Sequence, residues 1–227
     1  MRIGQIVILL CLLIFISACS GTTDEATAYQ DQYEIIGDEK DELLEDLTDP
    51  VVIPEVRGNP EAEEIIIDGI DQEGVEFNAS PGRYEITGSI TGNLYIYDEH
   101  DHLLFHNIIG RSYGVESITV DLDESYTIIA DGGFDMVHAA PSTHDFNENN
   151  HLTAGVWEVG TDIEPGDYQI TTSNGMGFLQ IYDSQTDEPK IHEVIGGEFG
   201  ATKGHVQLED GQILRITEIS QIHFEPL

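Results

Sequence analysis

Beyond residue 60 the apolar positions recur at every second residue, in short runs. Tyr84 and Ile86 flank Glu85, and Tyr168 and Ile170 flank Gln169. Leu94 and Ile96 follow in one run, Leu179 and Ile181 in another. Val120 and Leu122 alternate with Thr119 and Asp121, while Val206 and Leu208 alternate with His205 and Gln207. A period of two in runs bounded by Gly, Asp and Asn predicts antiparallel strands with one buried face. Asp210-Gly211 predicts a hairpin turn. No stretch after position 60 sustains a period of 3.6, so the expected fold class is all-β.

The runs come in two copies. Pro81-Gly82 and Tyr84 match Pro165-Gly166 and Tyr168, and the Gly92–Asp98 segment matches Gly177–Asp183. His106-Asn107-Ile108-Ile109-Gly110 matches His192-Glu193-Val194-Ile195-Gly196, and Val120 and Leu122 match Val206 and Leu208. The offset drifts only from 84 to 86 residues, which two small insertions explain. A first β-domain is therefore expected at 64–141 and a second at 151–227, with a linker at 142–150. Each copy holds about seven strands, enough for a small antiparallel β-sandwich or rolled-sheet domain. Pro then Gly before each Tyr predicts a type II turn. Tyr84 and Tyr168 are expected as half-buried packing residues. Gln180 in place of Tyr95 predicts a wetter face in the second copy.

The chain before the repeats is of a different kind. Ile3 to Ile16 is nearly all apolar after Arg2, too short to span a bilayer comfortably but suited to a secretory leader. It ends in Ile16-Ser17-Ala18-Cys19, which resembles the lipobox of bacterial lipoproteins, with Ile16 where that family prefers Leu. The resemblance implies a signal peptide over 1–18, cleavage before Cys19, lipidation of the Cys19 thiol, and anchoring on the extracytoplasmic face of the cell membrane. Cys11 reads as a small apolar residue of the leader. Ser20 to Glu64 carries 15 acidic and 2 basic residues and little to bury. Residues 19–63 are thus expected as a lipidated cysteine on a disordered acidic tether. Within it, Leu43, Leu44 and Leu47 predict at most a short helix over Asp38–Leu47, stopped by Asp49-Pro50. Val51–Pro54 is a candidate arm packing on the first domain.

Charge narrows the partners. Eight Lys and Arg face 44 Asp and Glu, a formal net charge of −36, and loss of Arg2 makes it one unit more negative. Such a surface disfavours nucleic acid and anionic headgroups, and it favours cations or basic proteins. Both cysteines lie in the leader region, so the repeats contain no disulfide and no thiol nucleophile.

A further resemblance lies in the second copy. Leu152-Thr153-Ala154-Gly155-x-Trp157-x-Val159-Gly160-x-Asp162-Ile163-x-Pro165-Gly166-x-Tyr168, then Gly175-x-Gly177, resembles a β-domain of extracytoplasmic lipoproteins and surface proteins of Gram-positive bacteria. The first copy matches weakly, because Asn78-Ala79 replaces Asp162-Ile163. The resemblance implies a β fold and surface display, and it carries over no catalytic residue.

Candidate chemistry is sparse. Asp98-Glu99-His100-Asp101-His102, with His106 beyond, offers imidazole and carboxylate groups that suit a divalent metal. His100, His102 and His106 are the candidate ligands. The competing reading is a solvated turn, since the second copy has Asp183-Ser184-Gln185-Thr186-Asp187 there. His106 and His192 hold equivalent positions, either as a repeated binding residue or as strand histidines with local bonds. Trp157 reads as an inter-domain packing residue or, with His192, part of a binding surface. His138, His144 and His151, with Asp145 and Glu148, gather near the linker as a second candidate metal group. There is no His-Glu-x-x-His and no cysteine in the repeats, so the expected protein is not an enzyme. The expectation is a lipid-anchored surface protein presenting two β-domains to a protein, glycan or cation ligand, with no required cofactor. Its alternatives are an envelope spacer and a divalent-metal-binding surface protein.

Overall fold

The structure is a computed structural model that describes residues 59–70, 73–111, 113–142, 151–172, 175–183, 189–196 and 203–227; for 189–192 and 203 it describes the backbone alone. The leader, Cys19, the 38–47 segment and the 51–54 arm lie outside the described residues. Among these residues there are thirteen strands and no helix, so the fold is all-β. In the first half these are β1 (Ile65–Asp68), β2 (Val75–Phe77), β3 (Gly82–Tyr97), β4 (Leu103–Gly110), β5 (Ser117–Leu122), β6 (Thr127–Asp131) and β7 (Phe134–Pro141). The second half has β8 (His151–Glu158), β9 (Gly166–Thr171), β10 (Met176–Tyr182), β11 (Pro189–Gly196), β12 (Lys203–Leu208) and β13 (Ile213–Pro226).

The two halves repeat the same pairings with the strands cut at different places. The first part of β3 pairs with β5, placing Tyr84 opposite Val120, as β9 pairs with β12, placing Tyr168 opposite Val206. The end of β3 pairs with β4 and β6, as β10 pairs with β11 and β13. Thus β3 is one strand where the second half has two, β9 and β10. Conversely, β13 is continuous where the first half has β6 and β7, split at Gly132 and Gly133. Likewise β8 pairs along β13 in the way that β1 pairs with β7 and β2 with β6. Every ladder between strands within a half is antiparallel, and the parallel pairings there are the isolated bridges Ile109–Val115 and Val159–Ile163. The alternating side chains meet in one apolar cluster per half: Tyr84, Ile86, Leu94, Ile96 and Val120 in the first, Tyr168, Ile170, Leu179, Ile181 and Val206 in the second.

The Pro-Gly turns differ from expectation. Gly82 and Gly166 have φ of 156° and 159°, near the extended backbone and far from the value of about +80° in a type II turn. What fixes each turn is the tyrosine beyond it. The Tyr84 hydroxyl donates to the Ser80 carbonyl at 2.9 Å, and the Tyr168 hydroxyl donates to the Glu164 carbonyl at 2.8 Å. In both copies the acceptor is the residue just before the proline, so a buried tyrosine ties its polar end to the chain entering the strand. Asp210-Gly211 does turn, with Gly211 at φ 80°. It is not a hairpin turn, because β12 pairs with β9 while β13 pairs with β8, β9 and β10. The expected tether also ends earlier than residue 63. The Asn59 side chain accepts the Arg83 N–H at 2.9 Å and donates to the Ser142 carbonyl at 2.8 Å, fixing the entry to the β body beside its first half's exit.

The halves are not independent beads. Strand β8 lies beside β5, joined by one parallel bridge between Thr119 and Gly155. Gly155 has φ 142°, and a Cβ there would stand 2.0 Å from the Thr119 carbonyl oxygen. Glycine is required on both counts. Through this approach Ala154 and Val156 of β8 pack into the first half's core, while Leu152 and Trp157 pack into the second's. Arg83 of β3 is buried at the junction. Its guanidinium pairs with Asp121 of β5, donates to the Val156 carbonyl at 3.0 Å, and lies 3.6 Å from Asp162 and 4.7 Å from the Trp157 ring centroid. Asp162 is held in turn by the Glu158 N–H at 2.8 Å. Gln180, expected on a wetter face, is buried, and its register partner Arg215 lies 5.4 Å over the Phe105 ring of the first half. The tertiary contact between halves covers a face that the single strand leaves open.

Two substitutions test the junction. Arg83→Ala strands the Asp121 and Asp162 carboxylates inside the junction, and breaking a buried pair this way costs about 3–5 kcal/mol in urea unfolding. Gly155→Ala is expected to lose at least about 1–3 kcal/mol from the backbone conformation alone. An Arg83→Ala chain as stable as the wild type would show that the halves do not rely on this cation.

Candidate functional site

The Asp98–His102 loop joins β3 to β4. Asp98 accepts the backbone N–H groups of His100 and His102 at 2.8 and 2.9 Å and touches the His102 ring at 3.1 Å. The His100 and His102 rings stack at 5.9 Å with both side chains mostly in solvent. The carboxylate therefore serves as the internal cap of the turn: desolvation is the largest single effect and pushes its pKa up, but the two N–H bonds and the His102 ring together hold it below its ordinary value. His106 is not part of this group. It lies on β4 opposite Tyr95 and stacks on that ring at 4.5 Å with the planes 11° apart. Its Nε2 is buried and makes no hydrogen bond. Among the described residues no three His, Cys, Asp or Glu side chains gather closely enough to hold a metal ion.

Trp157 is 1 % exposed, with Nε1 donating to the Thr153 carbonyl at 2.8 Å and its ring under Arg83. The packing reading describes it, and its ring presents no face to a stacking ligand. The backbone of His192 lies opposite Gln180, and its side chain is outside the described ones. His138 makes a 2.8 Å contact with Glu64 in the first half. His144, Asp145 and Glu148, the other members of the linker group, lie outside the described residues.

The structure instead places His151 beside a residue the sequence reading did not single out. His151 of β8 lies directly opposite His223 of β13, which lies opposite Thr171 of β9. Cross-strand partners project to one side of a sheet, so the three form a row. The two rings are 4.4 Å apart, tilted by 37°. With Thr172 and Gln221 they line an open cleft of about 240 Å³. Gln221 Nε2 contacts His151 Nδ1 at 3.0 Å, while Nδ1 of His223 is buried without a hydrogen bond. Desolvation lowers the His151 pKa, and repulsion from His223 lowers it further, so the ring is neutral at neutral pH. An imidazole pair with adjacent hydroxyls and an amide can bind a cation through nitrogen or hydrogen-bond a polar ligand.

The repeat held a signal for this cleft. Ala139 and Phe224 face Ile86 and Ile170 at matching points of the β3–β7 and β9–β13 ladders. His138 and His223 are therefore equivalent. Ile66 stands opposite His138 where His151 stands opposite His223, so only the second half has the pair. No family model matches the sequence, and no curated protein matches it.

A pH effect follows at His106. Burial lowers its pKa and Arg215 adds to this, while Glu218 and Asp131 oppose it. As pH falls through the ordinary histidine value of about 6.5, the unfolded chain takes this proton first and stability drops; above that range the effect is flat. The urea midpoint of the wild type is expected to fall more between pH 7.5 and 5.5 than that of His106→Gln. Equal falls would remove His106 from the acid response.

Proposed function

We propose that this chain is a lipid-anchored protein of the extracytoplasmic face of a bacterial cell membrane, and that its duplicated β body is a non-enzymatic binding module. The reading rests on one succession: an apolar leader ending in Ile16-Ser17-Ala18-Cys19, an acidic segment with little to bury, then a β body that begins where Asn59 is clamped. An intervening flexible chain of some forty residues reaches roughly 35 Å, and its own charge repulsion extends it further. That distance holds the body clear of the bilayer. Two or more acyl chains on Cys19 would make the attachment durable, where one is marginal. The Gly110-Arg111-Ser112-Tyr113-Gly114 match to Gly-x-Ser-x-Gly leads from β4 to β5 rather than into the helix that a nucleophile elbow needs, which favours binding over catalysis. The open cleft beside His151 and His223 favours a binding module over an envelope spacer.

Cys19→Ser is the direct test. The wild-type chain is expected to incorporate labelled palmitate and sediment with membranes, and the variant is expected to do neither. A wild type that is secreted without label, or a variant that stays membrane-bound, would overturn the lipid anchor.

A further inference from the structure

We propose that the His151–His223 pair is a binding site for a late transition-metal ion such as Cu²⁺, Ni²⁺ or Zn²⁺. This names a ligand class for the binding module and rests on that reading only in treating the β body as a binding surface.

Three observations carry it. The first is the spacing of the rings. Two imidazoles bound side by side on one metal, with metal–nitrogen bonds of about 2.0–2.1 Å at right angles, have ring centroids about 4.5 Å apart. His151 and His223 stand at 4.4 Å without the ion. They come from paired strands whose backbones are fixed by the β8–β13 ladder, so little ordering remains for binding. The second is the support of the rings. Gln221 holds His151 Nδ1 at 3.0 Å. Turning that amide by 180° presents its carbonyl instead, which accepts Nδ1–H and leaves Nε2 with a lone pair for the metal. The Thr171 and Thr172 walls leave room for the waters that complete the coordination.

The third is the charge of the surroundings. The chain carries a formal charge of −36, which raises the local concentration of cations and opposes anions. The donor set selects within the cations. Calcium and magnesium prefer oxygen ligands, which this pair does not supply, whereas imidazole suits copper, nickel and zinc. With two protein ligands the affinity order follows Cu²⁺ above Ni²⁺ and Zn²⁺. The exposed His100–His102 pair makes the contrast: its rings are 5.9 Å apart, and the Asp98 carboxylate beside it caps a turn.

The experiment is a calorimetric titration of the full chain with Cu²⁺, Ni²⁺, Zn²⁺, Ca²⁺ and Mg²⁺ in separate runs, with electron paramagnetic resonance of the Cu²⁺ sample. One saturable site per chain is expected for the first three ions, with a spectrum showing two coupled imidazole nitrogens. His151→Gln and His223→Gln should each lower the affinity at least tenfold, while His100→Ala/His102→Ala leaves it unchanged. The absence of saturable binding would overturn the proposal. So would binding that survives both single variants, or a spectrum without imidazole coupling, which needs no variant to fold. The Cys19→Ser chain, titrated in parallel, separates the two claims: its metal binding is expected to match the wild type whatever becomes of the anchor.

Discussion

The buried guanidinium of Arg83 is the interaction on which the joining of the two halves depends. A cation removed from water must be compensated on several sides at once, and here both halves contribute. Asp121 comes from the first half, and Asp162, the Val156 carbonyl and the Trp157 ring come from the second. Neither half alone supplies that set. The close approach it needs is permitted by the absence of a side chain at Gly155, since any Cβ would overlap the Thr119 carbonyl. Once β8 lies against β5, its Ala154 and Val156 complete the first core while Trp157 completes the second. One strand thereby belongs to both.

This arrangement also shapes the surface. Of the eight Lys and Arg in the sequence, Arg83 and Arg215 are both buried at contacts between the halves. Burial does not relieve the acidity of the exterior, since Asp121, Asp162 and Glu193 are buried with them and the outside stays strongly acidic. An acidic exterior stays soluble and repels anionic polymers, and it draws metal cations toward any site that offers nitrogen donors. The cleft beside His151 and His223 is such a site, set on the paired strands β8, β13 and β9 rather than on a loop.

The repeat shows how one set of pairings survives divergence. Each half keeps the tyrosine whose hydroxyl ties the turn before its strand, and each keeps the ladders around that strand. What changes is where strands are continuous. In the first half β3 passes through Ile90 at φ 64°, a left-handed conformation unusual for a β-branched residue, where its register with β7 shifts. In the second half β13 passes through Glu218 at φ 63°, within a break in its register with β8. A single irregular residue keeps a strand whole where the other half breaks it, so the pairing pattern tolerates either solution.

The sequence by itself determined the all-β class, the duplication and the buried rows. Alternation of Tyr84, Ile86, Leu94 and Ile96, repeated by Tyr168, Ile170, Leu179 and Ile181, is a local property that burial of one sheet face enforces. It also carried the Ile16-Ser17-Ala18-Cys19 pattern and the acidic segment on which the anchor proposal rests, because those are composition and short-range order. It did not disclose the His151–His223 pair. Those residues are 72 positions apart, and only the register of β8 on β13 makes them neighbours. Nor did it reveal that Gln180 is covered, or that Arg83 is the cation between the halves. Burial of a polar residue is decided by what packs over it from a distant part of the chain. Here that covering comes from the other half, and no local pattern records it.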